Sequence, residues 1–362
     1  MNYIDEFRDI KKVKYFAERI KEVNPDKNIN LMEVCGGHTI TILKYGIQEL
    51  LPGNINLISG PGCPVCVTAV DFIDMAIELS HRRDVIVATF GDLIRVPGTN
   101  SSLELERAKG ANIKICYSPA EALKYATKNP EKEVVFLGIG FETTAPSVAV
   151  TILNAYSNKV RNFSVLSSHK VMPPAMKFLL DSGEVNIDGF ICPGHVSAIT
   201  GPRIYEFIAK DYGVPCVVSG FEPMDLIETI YMLVLQIREG RAKVENQYKR
   251  TVRREGNSKA QEVMSEVFEP VSVRWRGIAE IPESGLKIRK KYSDFDAVEK
   301  FDLKFKRGME NPSCICGEIL KGVKTPLECR LFKKVCSPEN PVGACMVSSE
   351  GACAIYYKYG AR

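Results

Sequence analysis

The stretch Glu133-Val-Val-Phe-Leu-Gly-Ile-Gly-Phe-Glu-Thr-Thr-Ala-Pro-Ser-Val-Ala-Val-Thr-Ile-Leu-Asn-Ala-Tyr-Ser157 decides the fold. Residues 133–137 form a short apolar run rich in β-branched and aromatic side chains, the composition of a buried strand. A tight loop, Gly140 to Pro146, follows, with threonine and proline placed where a helix would start. Residues 146–157 then have helix length and a helical apolar pattern. Strand, loop and helix make half of a βαβ unit, and the rhythm continues outward on both sides. Candidate strands lie at 30–34, 54–59, 84–89 and 112–116 before this stretch, and at 162–166, 187–191 and 215–219 after it. Helix-length segments at 69–80, 119–127, 173–181 and 198–211 separate them. Such alternation predicts an α/β fold built on parallel sheets with helices on both faces.

The eight strands fall into two groups of four, divided near Asn129-Pro130. The expected organisation is therefore two similar α/β domains, residues 28–128 and 129–236. Residues 1–27 hold an opening helix (about 4–23), expected to pack on a third domain. That third domain, residues 237–362, begins where the composition changes. Residues 238–257 are polar, 258–268 read as a helix, 270–285 read as irregular or extended, and the last fifty residues hold six of the twelve cysteines.

Bulk properties exclude several function classes. The chain has 362 residues, 45% hydrophobic and 25% charged, with a formal charge of +4. That balance predicts an ordinary globular protein without a dedicated nucleic-acid surface. The basic run at Lys249, Arg250, Arg253 and Arg254 reads as a solvated linker or helix start. No signal-peptide pattern opens the sequence, and no apolar run reaches the ~18–20 residues of a membrane span. A cytoplasmic location is expected. Clustered thiols in a reducing compartment point to metal or redox chemistry more than to structural cross-links.

Candidate site residues sit where strands end. Val34-Cys35-Gly36-Gly37-His38-Thr39 follows the first strand, so the Cys35 thiol and the His38 imidazole could reach one metal or reactive centre. Read blandly, the motif is a buried cysteine beside an ordinary turn. Gly60-Pro61-Gly62-Cys63-Pro64-Val65-Cys66 follows the second strand. Its C-x-x-C spacing suits a redox dithiol better than zinc, which would want a second ligand pair nearby. Glu142, His195 (in Cys192-Pro193-Gly194-His195) and Glu222 (in Gly220-Phe221-Glu222-Pro223) lie in three further strand-end loops. Ordinary helix capping would explain each of these loops alone, but Gly-Phe-Glu occurs twice and two of the four histidines share such loops. A carboxylate there could steer a proton or dock a partner's lysine. His169-Lys170 is a minor candidate, while Cys116 and Cys216 read as structural.

The strongest signal is the run Cys314, Cys316, Cys329, Cys336, Cys345 and Cys353. The intervening stretches are one, twelve, six, eight and seven residues long, without the paired knuckles of zinc ribbons. Four thiolates at irregular spacing suit a four-iron cluster, leaving two for a redox pair. Zinc and structural disulfides are the alternatives.

Taken together, Cys-Gly-Gly-His-Thr, Gly-Pro-Gly-Cys-Pro-Val-Cys, Gly-Phe-Glu-Thr-Thr-Ala-Pro, Cys-Pro-Gly-His-Val-Ser and the six-cysteine tail resemble the HypD family of hydrogenase maturation factors over essentially the full length. The resemblance implies two α/β domains facing a cleft and a C-terminal iron–sulfur domain. It implies a scaffold for the Fe(CN)2CO unit of nickel–iron hydrogenases, working with a HypC-type chaperone and a HypE-type cyanide donor, with the hydrogenase large subunit as indirect client. Cys35 would hold that iron, with His38 close by, and Cys63 and Cys66 would be a redox dithiol. Cys314, Cys329, Cys336 and Cys353 would bind a 4Fe-4S cluster, and Cys316 and Cys345 would form the extra pair passing electrons toward Cys63 and Cys66. The rival reading is a cluster-dependent thiol-disulfide oxidoreductase of the ferredoxin–thioredoxin reductase type, which gives Cys35-Gly36-Gly37-His38 no role.

Overall fold

The computed structural model describes residues 6–360, and it is α/β with two parallel sheets, as the alternation predicts. In chain order the strands are β1 (Ile29–Glu33), β2 (Ile55–Ser59), β3 (Val85–Thr89), β4 (Ile113–Ile115), β5 (Glu133–Gly140), β6 (Phe163–His169), β7 (Gly189–Pro193), β8 (Cys216–Ser219), β9 (Val244–Asn246), β10 (Phe268–Arg274) and β11 (Glu280–Ile288). One sheet has the order β2-β1-β7-β8-β9, and the other β4-β3-β5-β6.

This pairing differs from a division at Asn129-Pro130. β1 pairs in parallel with both β2 and β7, with Leu31 opposite Leu57 on one side and Gly189 on the other. The chain leaves the first sheet after β2, builds the second sheet whole, and returns for β7, β8 and β9. Local pattern shows that the central strands β1, β3, β5, β7 and β8 are buried on both faces, but it carries no record of which strand will lie alongside. The choice is made by packing. At Gly189 a side chain would press on Leu31 at 3.0 Å and on Leu233 at 3.2 Å, so the missing Cβ lets the returning strand close on β1.

The opening helix spans Ile10–Val23, capped by Asp9, which accepts from the Lys11 amide at 2.9 Å. Residues 4 and 5 of the expected helix lie outside the described residues. Its buried face, Val13, Ala17, Ile20 and Val23, joins the core of the first sheet with Ile42, Leu226, Ile227 and Ile230. It therefore packs against the helix Pro223–Arg238 and not on the cysteine-rich region. An apolar stripe demands a partner but does not name one.

The third region is also less separate than its composition suggests. β9 completes the first sheet, and the helix Ser258–Val267 packs through Val263, Met264 and Val267 on the core around Val148 and Ile152. The segment expected to be irregular or extended is an antiparallel hairpin, β10 with β11, bulged between Val271 and Val273. Beyond it the six cysteines occupy turns and short helices, including Cys316–Leu320 and Ala352–Tyr359. Among the described residues no helix is long and apolar enough to cross a membrane.

Candidate thiol and metal site

In the first sheet β1 leads sideways to β2, while the later strands extend the other way from β7. The strand order reverses between β1 and β7, and the crevice at such a switch point is where open α/β sheets take ligands. Cys35 emerges from β1 and His195 from β7, so two residues 160 apart in sequence meet there. The Cys35 Sγ lies 3.9 Å from His195 Nδ1.

What reads as a loop after β1 is the start of a helix, Gly36–Lys44, with Cys35 at its N-cap. Close packing explains the two glycines. A Cβ on Gly36 would overlap the Glu350 backbone, and one on Gly37 would sit 3.2 Å from Phe221 and 3.5 Å from Cys35 Sγ. The Phe221 ring stacks on His38 with centroids 5.0 Å apart and lies 5.3 Å from His195. His38 Nε2 donates to the Gly220 carbonyl at 3.1 Å, which fixes the proton on Nε2. Its Nδ1 is left as a buried lone pair without a partner.

Burial sets the electrostatics. It pushes the Cys35 thiol well up, helped by Glu350 and Glu33, and it pulls His38 down to about 3 and His195 down to about 4. In the free protein the proton thus stays on sulfur beside a neutral imidazole. Glu33 is buried at the end of β1, accepts from the Cys35 amide at 2.8 Å and from the Thr39 hydroxyl, and is pushed up by burial to about 7.

Cys63 and Cys66 are joined as a disulfide on the short helix Pro64–Val67, with Cα atoms 5.3 Å apart. The loop that carries them lies directly on the Cys35 strand end, since a Cβ on Gly62 would overlap backbone atoms of Val34 and Cys35. On the other side Cys66 Sγ approaches the Ala344 carbonyl at 3.9 Å, next to Cys345.

All six C-terminal cysteines line one cavity, walled otherwise by Ile319, Leu331, Phe332 and Met346. Among the described residues no three such side chains converge as they would around a single ion. Cys314 and Cys345 hydrogen-bond the Cys316 sulfur, and with Arg276 nearby they pull that thiol well below its usual range, while Cys345 is pushed up. A ring of thiols in an apolar wall fits a cluster that takes one thiolate at each corner better than a single zinc.

The remaining candidates stand apart from Cys35. Glu142 follows β5 in the second sheet, where its Oε1 accepts from the Met172 amide at 2.8 Å and its Oε2 is buried without a partner. Both Glu222 oxygens are engaged by Arg8, at 2.5 and 2.9 Å, and the carboxylate caps the helix Pro223–Arg238. Proton steering or docking by Glu222 would have to compete with those bonds. Arg250, in the run read as a solvated linker, instead pairs with the fully buried Asp225 at 2.6 and 2.7 Å. Sequence reasoning missed Glu33, Phe221 and Glu350. Glu33 alone carried a signal, a carboxylate directly after the apolar pair Leu31-Met32 at a strand end. The other two reach the site only through tertiary packing.

Parallel sheets with a thiol and an imidazole at the switch point, a C-x-x-C pair beside them and a six-cysteine cavity beyond define an α/β protein whose thiols gather at and beside one sheet crevice. The family profile described as "HypD: Hydrogenase formation hypA family" matches residues 11–360. Three relatives, each named hydrogenase maturation factor HypD, align over 99% of this chain. The Cupriavidus necator protein is 50% identical over 97% of its own length, that of Azotobacter vinelandii 48% over 97%, and that of Rhodobacter capsulatus 45% over 98%. The chain belongs to the HypD family.

Proposed function

We propose that this protein is a cytoplasmic hydrogenase maturation factor on which the Fe(CN)2CO unit of nickel–iron hydrogenases is assembled. Family membership supports the general role, and the meeting of Cys35 with His195 at the β1/β7 switch point carries the specific one. The iron is cargo, held by Cys35 together with a thiolate from a HypC-type chaperone, and cyanide arrives from a HypE-type partner. Metal binding needs the thiolate, and burial opposes it in the free protein, so loading and deprotonation are coupled. His195 Nδ1, 3.9 Å from the sulfur, is placed to accept the departing proton. His38, with its free Nδ1 lone pair, offers a second acceptor or ligand.

A 4Fe-4S cluster held by Cys314, Cys329, Cys336 and Cys353 is the second part of the reading, supported by the shared cavity and its donor set. When bound, such a cluster supplies single electrons beside the remaining thiols. Cys345 and Cys316 are the most deeply buried of the six, at 0% and 3% exposure, and the segment of Cys345 touches Cys66, which supports their place between cavity and dithiol. Opening the Cys63–Cys66 disulfide takes two electrons and two protons and leaves two thiols next to Cys35.

The test is an infrared spectrum of the anaerobic complex with a HypC-type partner, comparing wild type with Cys35→Ala. Metal–CO and metal–CN bands in wild type that vanish in the variant are expected. No bands in either sample, despite an intact brown chromophore and bound partner, would refute the scaffold and favour the thiol-disulfide oxidoreductase.

A further inference from the structure

The second sheet ends in a site of its own. Lys170 directly follows β6, at the carboxyl end of a parallel strand, and is only 2% exposed. Its Nζ donates to the Arg274 carbonyl at 3.0 Å and lies 5.6 Å from the centre of the Trp275 ring. Among the described residues no carboxylate sits within ion-pair distance of it. Asp71 is nearest in charge, but its Oδ2 faces the Arg274 guanidinium at 3.3 Å and its Oδ1 accepts from the Phe72 amide at 3.0 Å. Burial pulls the lysine down to about 7, with Asp71 opposing.

Beside this amine is a cavity of about 310 Å³, at the small end of ligand-sized pockets. Ser168, Ser272 and Arg274 share its wall with Lys170, and among the described residues neither serine hydroxyl has a protein partner. A buried cation without a counter-ion is costly, and an anion drawn from solution relieves that cost. Asp71 and Glu280 also line the wall and disfavour a doubly charged guest, while Phe72 and Phe305 offer apolar contact. We propose that the cavity at the end of β6 binds a small carboxylate-type monoanion, held by the Lys170 ammonium, the Arg274 guanidinium and the hydroxyls of Ser168 and Ser272. The site belongs to the β6 and β10 strand ends and is separate from Cys35 and the six-cysteine cavity.

The experiment uses the full chain under anaerobic conditions at constant ionic strength, with chloride as reference. Line broadening of carbon-13 acetate, formate and bicarbonate is read together with the thermal midpoint, in wild type and in Lys170→Met. Broadening and a raised midpoint in wild type are expected, with affinity reduced roughly tenfold or more in the variant, as for loss of a charge-assisted hydrogen bond. Binding of bicarbonate alone would identify an inorganic guest, and binding of all three an organic acid, either within the proposal. Ser272→Ala, which leaves the lysine in place, should weaken binding by a smaller factor and serves if Lys170→Met does not fold. Equal binding in all variants, no effect beyond chloride, or phosphate competing as well as acetate would overturn the proposal.

Discussion

Replacing Gly277 by alanine tests how the hairpin positions the cysteine cavity. Gly277 sits in the turn between β10 and β11 with φ of +67°, a region that disfavours side chains by roughly 1–2 kcal/mol. Its added Cβ would also lie 2.6 Å from Gly317 Cα and 2.9 Å from Gly317 N, against ordinary contact beginning near 3.4 Å. Both are backbone atoms next to Cys316, so the hairpin and the helix Cys316–Leu320 must separate by about 0.8 Å, the difference between 2.6 and 3.4 Å. Overpacking of this kind costs about 1–3 kcal/mol, for a total of about 2–5 kcal/mol. Gly213 is the control, with φ of +66° and nothing within 4 Å of its added Cβ, so Gly213→Ala carries the conformational part alone, about 1–2 kcal/mol. Denaturant unfolding of both variants separates the two contributions, and visible absorption of the anaerobic protein reports on the cavity. If Gly277→Ala costs no more than Gly213→Ala, the close approach of the hairpin to Cys316 is refuted.

Glu142 is pushed by burial from 4.5 to about 7, so the folded chain holds its proton more tightly than the unfolded chain does. Its contribution is therefore fully present below about pH 4.5 and lost as pH rises through 7, on the order of 3 kcal/mol at most. Glu142→Gln should remove that loss, so the stability gap between variant and wild type should widen from pH 5 to pH 8 in urea titrations; a constant gap would contradict the burial argument. Arg250→Ala leaves the buried Asp225 carboxylate without a cation, held only by the Gln247 side chain and the Glu222 amide, and should cost roughly 2–4 kcal/mol, more than the combined Arg250→Ala/Asp225→Asn variant. A double-mutant cycle by thermal unfolding checks this, and a coupling near zero would count against it. Cys353→Ser should abolish the brown absorption expected of a cluster, whereas Cys316→Ser should keep it; the reverse pattern would exchange the roles assigned to these thiols.

The α/β class and the identity of the residues that gather at the site were legible along the chain because both are marked locally. Two-sided burial marks residues 133–137 as a buried strand whatever lies beside it, and the structure extends it to Gly140, while paired glycines beside a cysteine at a strand end announce close backbone approach. Six cysteines in one short segment speak for themselves in the same way. Three things were decided only by tertiary structure. β7 returns to pair with β1, which creates the switch point and turns His195 from a loop residue into the neighbour of Cys35. The opening helix buries its stripe on the helix Pro223–Arg238, and Phe221, Glu350 and Lys170 take their places by contacts across long sequence separations. Periodicity records which face of an element is buried, but the identity of the facing partner is set by the fit of side chains to backbones far apart in the sequence, and no local pattern carries that information.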